Sequence, residues 1–267
     1  MLTAIRIQDK TKVIANKCAK GKDLYACPEC GKDVVLKRGT IKTAHFAHKP
    51  PVTCEYGAGE SEEHRQCKME IYELLAACPH LICEMEKKVG NVRPDIFFES
   101  KNTGKQYAIE IQLSNLSLER IIARTEEYNR LGIYVLWMPQ YSKNLLSKCY
   151  SPRIWEKWLH TLYYGRVYYW EPNAEIKAFR LDPYLKWVEM TDFGGGYFKT
   201  SKRYREPRFL GALNLLEDFQ GCKRGGWNGG KIEVPDCMIM LDSLIKMDEK
   251  KAKKQIMSRG ILVQVPT

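Results

Sequence analysis

The segment most restrictive for the fold is 106–138, where QYAIEIQL, a capped helical stretch and IYVLWM follow one another. In QYAIEIQL alternate side chains fall on opposite faces, the period of a strand. Ser117 stands where a helix N-cap is wanted, with Glu119 in the first turn and Gly132 just past the end. The apolar face of that helix is Leu118, Ile121, Ile122, Thr125 and Tyr128. IYVLWM is continuously apolar, as a strand buried on both faces would be. A strand, a crossover helix and a second strand pair in parallel with a right-handed connection, so the core is α/β. Upstream, Ser61 caps another helix with Glu62 and Glu63 in its first turn and a stripe of Ile71, Leu74, Leu75 and Cys78. The strands LICEMEKK and DIFFES follow, separated by the turns VGNVRP and KNTG. The order is helix, three strands, helix, strand.

Two polar residues break the apolar strand. Glu110 and Gln112 share one face of QYAIEIQL, while Ile109 and Ile111 share the other. If DIFFES pairs with that strand, Asp95 at its mouth approaches Glu110. Two carboxylates about 4 Å apart repel by roughly 4 kcal/mol at an effective dielectric near 20. A divalent cation between them reverses the sign, so Asp95 and Glu110 are candidate ligands for Mg²⁺ or Mn²⁺, with the Ile111 carbonyl as a third. The competing reading is an acidic edge hairpin facing solvent. Against it, this strand should be central, where an unpaired carboxylate is costly. Followed towards its N-terminus, the stripe of the first helix changes from hydrocarbon to Lys68, His64 and Glu60. These are candidates for completing the metal shell, moving protons or supplying positive charge. Arg120, Arg124 and Tyr128 recur at i, i+4, i+8 on the second helix and could hold a phosphate.

A second constellation lies upstream. Cys27-Pro-Glu-Cys30-Gly31 is a tight knuckle, followed by His45-Phe-Ala-His48 and then Cys54. Zinc takes four nitrogen or sulfur ligands tetrahedrally, and five candidates are present. On a strand His45 and His48 face opposite sides, so one of them is a ligand. Cys27, Cys30, His48 and Cys54 are the favoured set, with His45 as the alternate. The role of the ion is structural, because a module of this size rarely buries enough surface alone. Lys32, Lys37, Arg38, Lys42 and Lys49 flank it and are available to phosphate.

Composition bears on partners. Of 267 residues, 43 are Lys or Arg and 32 are Asp or Glu, a formal charge of +11 that favours acidic partners such as nucleic acid. The sequence shows no 18-residue apolar stretch and no signal-like h-region, which sets the expectation of a cytoplasmic protein with no membrane span. In the last third, PRIWEKWLHTLYYG fits a helix, and RVYYW with AEIKAFRL fits a hairpin. TDFGGGYFKTSKRYREPRF reads as a glycine-bearing loop that mixes aromatic and basic residues. That mixture suits single-stranded DNA, with Lys202, Arg203 and Arg205 as candidate contacts; a solvated loop is the alternative. KMDEKKAKKQ reads as a charged terminal helix.

GESEEHRQCK, RPDI, AIEIQLS, RTEEY and GIYVLWM together resemble the competence protein CoiA family, whose nuclease-like domain is of the PD-(D/E)XK type. YACPECGKDVVLKRGTIKTAHFAHK is similar to that family's N-terminal zinc-finger-like segment, and LHTLYYGRVYYW more loosely to a C-terminal stretch. The specific part of the likeness covers residues from about 30 to 140. It implies metal-dependent DNA phosphodiester hydrolysis during transformation, with recombination proteins as candidate partners. By position, Asp95 matches the first carboxylate of the motif, Glu110 the second, and Gln112 the place where Lys is usual. A carboxamide there orients water but carries no charge, and Lys68 is the candidate to replace it. RTEEY singles out Arg124 and Tyr128 as DNA contacts. The expected organisation is a zinc-finger-like module (1–57), a PD-(D/E)XK-like core (58–140) and a mixed C-terminal domain (141–267). The alternative function is a non-catalytic DNA-binding, recombination-assisting protein that keeps the fold.

Overall fold

A computed structural model describes residues 1–243 except 22, 52, 55, 58, 113–115 and 172–174. The stretch KMDEKKAKKQ lies outside the described residues. The N-terminal segment forms five short strands: β1 (Thr3–Arg6), β2 (Lys12–Ile14), β3 (Tyr25–Ala26), β4 (Asp33–Lys37) and β5 (His45–His48). They make an antiparallel sheet in the order β2-β1-β3-β4-β5. Its core is slight, built on Met1, Ala4, Tyr25, Val34 and Phe46. So small an apolar cluster needs help from a metal or a neighbour. The neighbour contributes, because Leu2 belongs to the main core.

Helix α1 (Glu62–Ala76) starts where Ser61 Oγ accepts from the His64 amide at 3.2 Å. It leads into β6 (Leu81–Met85), β7 (Ile96–Ser100) and β8 (Gln106–Gln112). Helix α2 (Leu118–Arg130), capped by Ser117, crosses to β9 (Ile133–Pro139), and Gly132 takes a φ of 73° just beyond the helix. β6, β7 and β8 are antiparallel neighbours, and β8 runs parallel to β9 with Glu110 opposite Trp137. Every residue of β9 is buried, as a doubly covered central strand requires. The order helix, three strands, helix, strand is as the periodicities indicate.

Beyond residue 140, helix α3 (Ile154–Leu162) precedes β10 (Val167–Glu171), β11 (Glu175–Val188) and β12 (Tyr197–Leu213), which form a three-stranded sheet. β13 (Phe219–Arg224), the short pair β14 (Trp227–Asn228) and β15 (Glu233–Val234), and β16 (Cys237–Asp242) complete the set. β16 lies parallel beside β9, giving a six-stranded sheet β13-β16-β9-β8-β7-β6. The main hydrophobic core accordingly runs from Leu2 to Leu241, so the sheet and core cross the boundary expected near residue 140. The segment expected to be a glycine-bearing loop is largely strand: β11 and β12 run on as a two-stranded ribbon past β10. Among the described residues no helix is long and apolar enough to cross a membrane.

Candidate active site and metal centre

The β7–β8 register, Ile96 opposite Ile109, carries Asp95 to the level of Glu110 at one end of the sheet. Both line a pocket of about 950 Å³ with Glu60, His64, Lys68 and Arg124. Asp95 Oδ2 accepts from the Ile111 amide at 2.9 Å and lies 3.2 Å from His64 Nε2. Lys68 Nζ is 3.5 Å from its other oxygen. Burial alone would favour the neutral acid, but His64, Lys68 and the Ile111 amide together hold the Asp95 pKa well below the ordinary range. Glu110 is 5% exposed and its pKa is raised, chiefly by burial; Arg124 opposes the rise and the charge of Asp95 adds to it. That the charge of Asp95 reaches Glu110 places the two carboxylates in one electrostatic neighbourhood.

Arg124 and Tyr128, expected to face a phosphate, turn inward. Arg124 Nε donates to Glu110 Oε1 at 3.1 Å and its Nη2 donates to the same oxygen and to the Arg93 carbonyl at 2.9 Å. The Tyr128 hydroxyl donates to Glu110, and Tyr128 is wholly buried, so it is not available to DNA in this arrangement. The i, i+4 spacing put them on the sheet-facing side of α2, where Glu110 is their partner. Gln112 is buried and lines both this pocket and a smaller one of about 290 Å³ bounded by Tyr150, Ser151, Arg153 and Glu156.

Lys68 lies deeper than the helical stripe suggests. It is 3% exposed and meets Glu60, Glu86 Oε1 at 2.5 Å and Asp95. Burial would lower its pKa, but Glu86, Asp95 and Glu60 overcome this and raise it well above the ordinary value, so it is a buried ammonium. Glu86 is the residue that sequence reasoning missed. It also accepts from the Leu2 and Thr3 amides (3.1 Å each), Thr3 Oγ1 (2.7 Å) and the Tyr56 hydroxyl (2.6 Å). These bonds tie the N-terminal sheet to the helix that carries Lys68. Nothing local marks Glu86, which follows a strand and precedes two lysines as a solvated residue would.

The cysteine cluster assembles as expected from the spacing. One ligand atom from each of Cys27, Cys30, His48 and Cys54 lies within 4.8 Å of the others. The knuckle turns at Gly31, φ 71°, whose amide donates to the Cys27 carbonyl at 3.0 Å. Cys30 Sγ and His48 Nε2 are 3.3 Å apart. Four tetrahedral donors about 2.3 Å from a zinc ion would stand roughly 3.8 Å from one another, so the set needs only a small contraction. His45 is elsewhere and donates from Nδ1 to the Thr43 carbonyl at 2.9 Å. Glu29, inside the knuckle, holds Arg93 at 2.6 Å, two residues before Asp95.

Ser201–Tyr204 form an irregularity in β12, where the register jumps from Leu185↔Thr200 to Pro183↔Arg205. Lys202 and Arg203 are exposed on it, and Arg203 Nε lies 3.4 Å from Ser151 Oγ. Arg205 is half-buried; its backbone bridges to Tyr150 and its guanidinium donates to the Ser201 carbonyl at 2.9 Å. The structure brings Glu60, His64, Lys68, Asp95, Glu110 and Gln112 to one pocket, and it places Lys202, Arg203 and Arg205 apart from that pocket, near the smaller one.

Comparison with known proteins adds three matches. Residues 60–162 match the family described as competence protein CoiA, nuclease-like domain, and residues 7–57 match competence protein CoiA, N-terminal domain. Together they cover more than half of the 267 residues. Competence protein CoiA of Bacillus subtilis (strain 168) is 32% identical over 123 residues, which is 45% of this chain and 32% of that protein. The aligned segment thus spans about a third of that relative's length. No solved structure matches.

Proposed function

This chain belongs to the competence protein CoiA family, and on that premise we propose that its carboxylate pocket hydrolyses DNA phosphodiesters with a divalent cation, in a competence-related role. The reading rests on one observation: Asp95 and Glu110 converge from paired strands into one pocket, where the charge of Asp95 raises the cost of ionising Glu110. Such a donor set fits a hard cation, and the core is then of the PD-(D/E)XK type. Asp95 and Glu110 would hold Mg²⁺ or Mn²⁺, with the Ile111 carbonyl as a third ligand. Bound there, the ion would acidify a water molecule and polarise a phosphoryl oxygen.

The protein's own groups do the rest. His64 and the Ile111 amide fix the orientation of Asp95. Lys68 contributes the positive charge that Gln112, in the motif's usual lysine position, does not. Gln112, which lines both pockets, would orient water there. Arg124, seated on Glu110, can exchange that carboxylate for a phosphate when a cation takes its place. The Cys27, Cys30, His48 and Cys54 set takes zinc as a structural ion.

The second reading is a DNA-binding protein without turnover, favoured by Gln112 and by the Arg124–Glu110 pair, which already neutralises the second carboxylate. Labelled single- and double-stranded DNA, incubated with Mg²⁺ or Mn²⁺, decides between them. Cleavage by the wild type and none by Asp95→Ala/Glu110→Ala supports the enzyme. Equal DNA binding by both proteins, with no cleavage by either, supports the second reading.

A further inference from the structure

Beyond Pro183 and Arg205, β11 and β12 pair, among the described residues, only with each other: Leu185↔Thr200, Lys186↔Lys199, Trp187↔Phe198 and Val188↔Tyr197. Alternation along each strand gives this ribbon two unlike faces. One carries Leu185, Trp187 and Phe198, which are 57%, 42% and 65% exposed, the two rings 5.0 Å apart between centroids. The other carries Lys186 and Lys199 directly opposite each other, with Val188 and Tyr197. Gly195, φ 131°, closes the tip at a point where a Cβ would collide with the Glu189 carbonyl.

A free two-stranded ribbon is only marginally stable. This one also exposes an aromatic face and sets two like charges side by side, which costs further stability. A partner that relieves both must be apolar on flat faces and anionic at its margin. Within 185–200 Lys186 and Lys199 are balanced by Glu189 and Asp192 towards the tip. The positive excess lies at the base, where Lys199, Lys202, Arg203 and Arg205 stand with no acidic residue between Tyr197 and Arg205, so an acidic partner is favoured along that end. The flat apolar groups of a duplex are stacked inside it, whereas an unpaired strand offers every base face to an exposed ring. A ribbon of two strands is about 10 Å wide, within reach of a lysine stem extended round its edge.

We propose that residues 185–200 form an arm on which the bases of a single nucleic-acid strand stack against Trp187 and Phe198 while Lys186 and Lys199 meet its phosphates. The exposed Lys202 and Arg203 continue the track to Ser151, on the pocket that shares Gln112 with the carboxylate site. The inference rests on the DNA-processing reading and names its substrate as single-stranded.

The test measures binding of fluorescent oligo(dT), and of a duplex of equal length, to the full chain without divalent cation, so that no cleavage is needed. Trp187→Ala/Phe198→Ala should weaken oligo(dT) binding on the order of ten- to a hundredfold, with duplex binding changed less than twofold. Trp187→Phe, which keeps a ring, should retain most of the affinity and shows that the arm is intact. Lys186→Gln/Lys199→Gln should make the salt dependence shallower by about 1.4 logarithmic units per decade. Unchanged oligo(dT) affinity in the ring-deleted arm overturns the proposal, as does an equal loss for the duplex. Self-association of the wild type that disappears in Trp187→Ala also overturns it, because the face is then covered by a second copy. If the arm variants lose oligo(dT) while the wild type cleaves nothing, the arm stands and the catalytic reading falls. Cleavage by a wild type whose arm variants bind normally gives the reverse.

Discussion

Lys68→Met removes the one lysine ammonium among three acids. In the native protein Nζ meets Glu60, Glu86 at 2.5 Å and Asp95 at 3.5 Å, with Lys68 only 3% exposed. Methionine fills nearly the same volume, so the change is electrostatic rather than a cavity. Removing one partner of a buried ion pair costs about 3–5 kcal/mol, because the remaining charge has lost its compensation. That is a large fraction of a typical stability of roughly 5–15 kcal/mol. For a domain of this size each kcal/mol lowers Tm by about 2–4 °C, so a fall on the order of 10 °C is expected. Urea unfolding at neutral pH, followed by circular dichroism, measures the difference as a change of midpoint at constant slope. Adding Glu86→Gln should return about 1–3 kcal/mol, since it deletes one of the stranded charges. A Lys68→Met protein within about 1 kcal/mol of wild type, with no gain from the second substitution, would refute the buried-ammonium account.

Other outcomes follow from the same contacts. Glu86 is buried, which opposes ionisation, but Lys68 and its hydrogen bonds hold its pKa down to about 2 against an ordinary 4.5. Its stabilisation is therefore present above pH 4.5 and lost as pH falls through the folded value, so Glu86→Gln should flatten the acid limb of stability between about pH 4.5 and 2. The Cys27, Cys30, His48 and Cys54 cluster should release one zinc per chain on titration with a mercurial, and Cys54→Ser should abolish stoichiometric zinc and lower amide protection in β3–β5. Glu29 is 40% exposed, so Glu29→Ala should cost under about 1 kcal/mol, yet quicken amide exchange around Arg93.

Helices α1 and α2 and the parallel pair β8–β9 were legible because their signals are local: a serine cap, acids in the first turn, a 3.6-residue stripe and the apolar run IYVLWM. The convergence of Asp95 and Glu110 on one pocket was legible because Glu110 is conspicuous in an apolar strand, and the Cys27, Cys30, His48 and Cys54 cluster because a knuckle and alternation on β5 separate His48 from His45. β16 gave no such sign, since its partner β9 lies about a hundred residues earlier and pairing at that distance leaves no periodic trace. β12 read as a loop because its charged, glycine-led sequence lacks alternation in burial; its strand is held by β11, with both faces largely in solvent. Tyr128 and Lys68 were placed on the correct helical faces, but how deeply each is buried depends on partners from other elements. Glu86 shows the same limit, its amide donors lying more than 80 residues away.

The central claim is that Asp95 and Glu110 share a divalent cation, and Mn²⁺ reports on this directly. Diffraction from crystals soaked in Mn²⁺, collected at a wavelength where manganese scatters anomalously, should show a peak against both carboxylates, with Arg124 displaced from Glu110. The same peak should be missing from Asp95→Ala/Glu110→Ala crystals. A wild-type map with no manganese in that pocket, while Arg124 still sits on Glu110, would contradict the account.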